Sequence, residues 1–311
     1  MINPELRPFL RDWTRAWSTL PAGAGPAQRR AHFESIAETM RQPTPIGVTT
    51  EEHHVRLQGT ERRVRVRLFR AAGKGPQPAL IYMHGGAWMQ GSPETHWDIT
   101  AGIAAATGQV VISVDYALAP EHPFPAAVDD CRAVVVWAFD EAQSLGLQRE
   151  AIAIGGDSAG ANLAAVQTLS FRGTQRALRA QLLVYPGVDF SLDRDSHREN
   201  AEGPIVTVAS MPFVNAAYCP DPKDRLDWRA APLRAPSHAG LPPAFIAVAE
   251  HDPLRDEGIA YADTLRPAGV AVHLDRGPGL IHGYLRAMAY CADARAAFER
   301  MCTWLGETNR A

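Results

Sequence analysis

What most restricts the fold of this chain is a change of grammar near residue 52, after which short β-rich runs alternate with helical windows. The runs are Val64–Phe69, Leu80–Met83, Val110–Val114, Ile152–Ile154, Leu182–Tyr185, Phe245–Val248 and Val270–Leu274, and the helical windows cover about 126–145, 159–172, 256–268 and 284–305. Strands joined through helices run parallel, because a parallel neighbour needs a crossover long enough to return to the same edge of the sheet. A sheet of that kind is covered on both faces. The expectation is an α/β fold with a mostly parallel central sheet and helices on both sides.

Two regions stand outside this alternation. In residues 1–45, Asn3 can cap and Pro4 can enter a first helix with Leu6, Phe9, Leu10, Trp13 and Trp17 on one face, and Phe33, Ile36, Ala37 and Met40 mark a second that Pro43 and Pro45 stop. The stretch 190–225 carries Pro204, Pro212, Pro220 and Pro222 with a short apolar segment near Met211–Tyr218, and reads as an insertion rather than a sheet unit. At 311 residues the chain lies between one large α/β domain and two domains of about 150 residues.

Charge excludes some functions. The chain has 31 Lys+Arg against 34 Asp+Glu, a net charge of −3, so no global field attracts polyanions, and nucleic acid is not an expected partner. Arg62, Arg63, Arg65 and Arg67 interleave with Val64, Val66 and Leu68, which predicts a half-buried strand with a solvated arginine face. The longest apolar run, Ala133–Phe139, falls far short of the roughly 18 residues that span a bilayer, and the N-terminus has no basic head followed by an apolar stretch, so cytoplasmic residence is expected. Cys131, Cys219, Cys291 and Cys302 show no metal-ligand spacing and read as reduced packing residues; no metal or cofactor is expected.

The chemistry concentrates at Gly156-Asp157-Ser158-Ala159-Gly160, a G-x-S-x-G run entered by Ile152–Ile154 and left by the helix-compatible Ala159–Leu169. That is the strand-turn-helix setting of a nucleophile elbow, whose glycines allow the sharp turn and close packing. A serine hydroxyl needs a base, itself oriented by an acid, and on such a sheet the order is Ser, Asp/Glu, His. Asp252 lies just past the run Phe245–Val248, and His282 sits in a Gly-rich loop after Val270–Leu274. His251 precedes the acid, His273 lies within a strand, and His238 is further upstream, so His282 is the expected base. Asp256 and Glu257 are alternative acids, though their place at a helix start is explained by capping and the macrodipole. His84-Gly85-Gly86-Ala87-Trp88 follows the run Leu80–Met83 and reads as an oxyanion loop, with Gly85, Gly86 and Ala159 as expected N–H donors and His84 as the residue holding the loop. Trp88 and Asp157 are expected to line the substrate pocket.

Five ordered blocks carry a family resemblance: His84–Trp88, Asp115–Ala127, Gly156–Asn162, Asp252–Glu257 and His282–Gly283. Together they resemble the hormone-sensitive-lipase-like branch of the α/β-hydrolases, a family of bacterial carboxylesterases and related lipases. The resemblance implies the α/β-hydrolase fold, the triad Ser158, Asp252 and His282, and a helical cap from 1–45 and 190–225 over a core of 46–189 and 226–311. It also implies hydrolysis of short-chain acyl esters, with a small-molecule ester as partner; a homodimer by edge-strand pairing is compatible with such a sheet. Ala87 stands where the family usually has a third glycine, and Ala117 where it usually has arginine. The H-G-G-x-W form is also similar to arylformamidases, which hydrolyse N-formylkynurenine. Plant gibberellin receptors resemble the family without its triad histidine and supply a non-catalytic alternative.

Overall fold

The computed structural model describes residues 1–308. Two helices lead the chain, α1 (Leu6–Trp17) and α2 (Pro26–Met40). The Asn3 side chain accepts from the Glu5 N–H, and the helix starts at Leu6, two residues later than a cap at Asn3 would give. The sheet has eight strands: β1 (Val48–Arg56), β2 (Arg63–Ala71), β3 (Gln77–Met83), β4 (Val110–Asp115), β5 (Leu147–Asp157), β6 (Gln181–Val184), β7 (Ala244–Ala247) and β8 (Val272–Asp275). Their spatial order is β1-β2-β4-β3-β5-β6-β7-β8. The pairs β1/β2 and β2/β4 are antiparallel and all others parallel, so β2 alone runs against the rest.

Helices α3 (Trp97–Thr107), α4 (Ala126–Asp140), α5 (Ala159–Phe171), α8 (Arg255–Leu265) and α9 (Ala292–Thr308) connect or flank the strands. The 190–225 stretch adds no strand; it holds the short α6 (Asp195–Glu199) and α7 (Met211–Tyr218). Two apolar layers result. One, with Ile81, Ile112, Ile154 and Leu163, packs under α4 and α5, and the other, with Phe69, Leu80, Val111 and Phe245, packs under α1, α3 and α9. Alternate residues of β3 and β4 thus enter opposite layers, as the two faces of a strand require.

Two expectations change. The window 284–305 is a 3₁₀ turn at Tyr284–Ala287 followed by α9 from Ala292. The arginine face of β2 is not simply solvated: Arg65 is bidentate to Glu94 (2.6 and 2.8 Å) and donates to Asp115 (2.9 Å), while Arg67 reaches Glu52 (2.9 Å). Arg65 carries half-buried charge-assisted bonds of the stronger kind, which tie β2 and β4 to the loop before α3. Asp130, buried on α4, accepts from Arg62 (2.5 Å), the residue just before β2, and from the Ala117 N–H (2.8 Å). Among the described residues no helix is long and apolar enough to cross a membrane.

Candidate active site

The elbow forms where β5 ends and α5 begins. Ser158 adopts φ 54°, a left-handed conformation that L side chains resist and that persists only where packing enforces it. Packing does so here: a Cβ on Gly160 would lie 2.0 Å from the Met83 carbonyl oxygen, and one on Gly156 2.4 Å from the same atom. Only hydrogen fits between β3 and α5 at those two positions. The result holds the Ser158 hydroxyl, still partly exposed, at the carboxyl end of the sheet.

Asp252 and His282 reach it from the loops after β7 and β8. His282 Nδ1 lies 2.7 Å from Asp252 Oδ2, and Nε2 lies 2.9 Å from Ser158 Oγ. A carboxylate only accepts, so Nδ1 carries the proton and Nε2 is the free base facing the hydroxyl. The second oxygen, Asp252 Oδ1, accepts from Leu254 N (2.8 Å) and leaves the buried carboxylate no rotational freedom. The two loops are stitched together by His251 N to Leu280 O (2.9 Å), and Asn200 donates to the carbonyls of Glu250 and Asp252. The competitors lie elsewhere: His251 is beside Glu250, His238 binds the Pro232 carbonyl, and His273 stacks on Phe245.

Neither alternative acid faces Ser158. Asp256 accepts from Ser196 N (2.8 Å). Glu257, expected to cap the helix, is fully buried and accepts from Val188 N (2.7 Å) and Asp189 N (3.0 Å). Its carboxylate therefore anchors the loop after β6, and burial raises its pKa despite nearby His197 and those two N–H groups.

The loop expected to hold the oxyanion differs from expectation at one N–H. Gly85 N donates to Asp157 Oδ1 (3.0 Å) and Gly85 is buried, so its N–H is already taken on the inner side of the loop. The N–H groups of Gly86 and Ala87, both partly exposed, have no partner among the described residues, and neither does that of Ala159 at the first position of α5. The peptide geometry explains the switch. Gly85 O accepts from His84 Nδ1 (3.0 Å), and the trans peptide points the Gly86 N–H the opposite way, out of the buried side. His84 can serve only as a neutral donor there, and burial pushes its imidazole down to about 3. It stacks on Tyr116 (4.2 Å), whose hydroxyl donates to the His84 carbonyl (2.7 Å). Ala87 sits at φ 55°, which accounts for the glycine usual at this position.

Asp157, expected in the substrate pocket, is instead buried beneath the loop. It accepts from Gly85 N and from the Tyr82 hydroxyl (2.8 Å). Burial opposes its charge, yet the Arg286 guanidinium and the Tyr82 hydroxyl help to hold the carboxyl well below the usual range. Trp88 is buried and stacks flat on Tyr218 at 4.3 Å, joining the oxyanion loop to the end of α7. The sequence signal for the Asp157 role was the acid inside the elbow itself; nothing in the sequence distinguished inward from outward N–H groups.

Fold and geometry together define an α/β hydrolase with a serine, histidine and aspartate within hydrogen-bonding distance at the strand ends. A profile described as alpha/beta hydrolase fold matches residues 80–286, and the chain belongs to that family, in its hormone-sensitive-lipase-like branch. It is similar to the carboxylesterase NlhH of Mycobacterium tuberculosis, 43% identical over 213 residues, 67% of this chain and 66% of that protein. It is similar to the ethyl acetate hydrolase of Pseudomonas putida, 33% identical over 92% of each chain. Among solved structures, an esterase of Pyrobaculum calidifontis superposes with a TM-score of 0.91 at 34% identity, covering 100% of this chain and 99% of that one.

Proposed function

We propose that this protein is a serine carboxylesterase that hydrolyses short-chain acyl esters. The observation that carries the reading is the chain of contacts from Asp252 Oδ2 to His282 (2.7 Å) to Ser158 Oγ (2.9 Å) beside three unpartnered N–H groups. Ser158 attacks the ester carbonyl while His282 Nε2 takes its proton, and Asp252 fixes the tautomer and stabilises the imidazolium. The oxygen that becomes negative is met by the N–H groups of Gly86, Ala87 and Ala159. His282 then protonates the departing alcohol, and water, deprotonated by the same imidazole, releases the acid from Ser158.

Short acyl chains are the proposed substrates because the bulky Trp88–Tyr218 stack immediately follows the Ala87 donor. We place the cap in 1–45 and 190–225 over a core of 46–189 and 226–311, with Tyr218 of α7 contributing to that stack. Within it, α6 is bolted to the acid loop by Ser196 Oγ to Pro253 O (2.6 Å). Cytoplasmic residence is supported by four free, buried cysteines. A homodimer would pair through β8, whose outer edge has no strand partner among the described residues.

The test is hydrolysis of p-nitrophenyl acetate and butyrate beside N-formylkynurenine. Ester turnover that vanishes in Ser158→Ala is expected, and a higher kcat/KM for the formamide would overturn the ester assignment.

A further inference from the structure

The buried Asp157 carboxylate requires a cation, and the structure supplies it through an intermediary. Arg286, four residues beyond His282, donates Nη1–H to the Thr95 carbonyl (2.8 Å) and Nη2–H to His96 Nε2 (2.8 Å). The tautomer follows from the neighbours. Thr95 Oγ1 gives its own proton to the Ser92 carbonyl (2.9 Å), so at 2.9 Å from His96 Nδ1 it accepts, and Nδ1 bears the ring proton. His96 Nε2 is thus a lone pair, and burial favours this neutral ring. That lone pair and Asp157 Oδ1 both face the Gly85 N–H, at 3.2 and 3.0 Å. On its other side the Arg286 guanidinium lies over the Phe33 ring of α2 at 4.7 Å and near Trp13 of α1 at 5.9 Å.

We infer that Arg286 and His96 are positioning residues for the oxyanion hole, through which the two N-terminal helices act on the chemical step. Arg286 neutralises Asp157 across His96, and the pair holds the Gly85 N–H between two acceptors. With the Gly85 N–H fixed on one side and its carbonyl held by His84, the Gly86 and Ala87 N–H groups can face only Ser158. Phe33 and Trp13 hold the guanidinium in that plane by cation–π contact, so α1 and α2 have a route to the oxyanion that bypasses the substrate. The inference rests on the esterase reading and goes beyond it, since no atom of Arg286 or His96 touches the triad.

The experiment compares Arg286→Ala, Arg286→Lys and the unsubstituted protein on p-nitrophenyl acetate. Because the oxyanion charge develops in the transition state, kcat is expected to fall about ten-fold with KM little changed, less than the ~10²–10³ of losing a donor outright. Millimolar guanidinium is expected to restore much of kcat to Arg286→Ala and none to the unsubstituted enzyme, and lysine, lacking the planar fork, to substitute poorly. An unchanged kcat in folded Arg286→Ala, or a loss that appears in KM and ignores guanidinium, would overturn the inference. Should Arg286→Ala not fold, ring ¹⁵N spectra of the unsubstituted protein decide: His96 protonated at Nδ1 supports the relay, and protonation at Nε2 overturns it. Absence of Ser158-dependent turnover in the unsubstituted protein would instead overturn the esterase reading, so the two failures are distinguishable.

Discussion

Gly86→Ala is the substitution whose effect the geometry fixes most closely. Gly86 has φ 133°, a conformation essentially confined to glycine, and a Cβ there would lie 2.0 Å from the Gln90 carbonyl oxygen. Contacts of a real Cβ below 3.0 Å essentially never occur, so the loop must move by at least about 1 Å, the scale of misplacement that costs on the order of 10²-fold in rate. The moving segment carries two of the three proposed donors, each worth ~2.7–4 kcal/mol in the transition state. The expected result is therefore a fall in kcat of about 10²–10³ on p-nitrophenyl acetate with KM nearly unchanged, because the ground-state carbonyl carries little of the charge those donors meet. The same loop offers a control. Ala87→Gly keeps the N–H, relieves a left-handed alanine at φ 55°, and should keep kcat while raising stability by up to roughly 1 kcal/mol. Circular dichroism melting separates folding from catalysis in both variants. A folded Gly86→Ala enzyme with wild-type kcat would refute the placement of the oxyanion at this loop.

Two further outcomes follow from single groups. Asp252→Asn keeps the acceptor for Leu254 N but presents an amide N–H to His282 Nδ1 and reverses the tautomer, so kcat should drop by about 10⁴ with the fold retained; stopped assays at substrate saturation measure it, and a loss of only a few-fold would refute the role of the acid. Glu94 is desolvated, yet the bidentate bond from Arg65 holds its carboxyl down to about 2 from an ordinary 4.5. Since its folded pKa is depressed, the stability it contributes is present above about 4.5 and lost as pH falls towards 2. The pH interval corresponds to about 3 kcal/mol, which solvent screening of this partly exposed side chain lowers to roughly 1–2 kcal/mol. Urea titrations should find Glu94→Gln less stable by that amount at pH 7, with the gap closing between about pH 4.5 and 2; a gap independent of pH would exclude the ion pair as its source.

Residues whose placement depends on local grammar were legible in the sequence. Ser158, Asp252 and His282 each follow a short apolar strand, and strand ends on a parallel sheet converge at one edge. Strand β1 was not, because Val48–Arg56 is an edge strand with polar residues on both faces, of which only Val55 is buried, so no alternation marks it. Helix α3 was hidden for the opposite reason: Ile99–Ala104 is buried nearly all round and lacks an amphipathic period. The proposed choice of Gly86 and Ala87 over Gly85 depends on which way a peptide plane turns, and that is set by the adjacent His84 and by Asp157 at the end of the neighbouring strand β5. His96 and Arg286 carry no motif, because their partnership joins residues 190 apart in sequence.

Ser158 is the proposed nucleophile, made competent by His282 and Asp252. This role is tested most directly by treating the protein with a fluorophosphonate and mapping the adduct by peptide mass spectrometry, while following p-nitrophenyl butyrate turnover in the same sample. A single adduct on Ser158 is expected, forming in step with loss of turnover, with neither labelling nor turnover in Ser158→Ala. An adduct on another residue, or turnover that survives in Ser158→Ala, would contradict it.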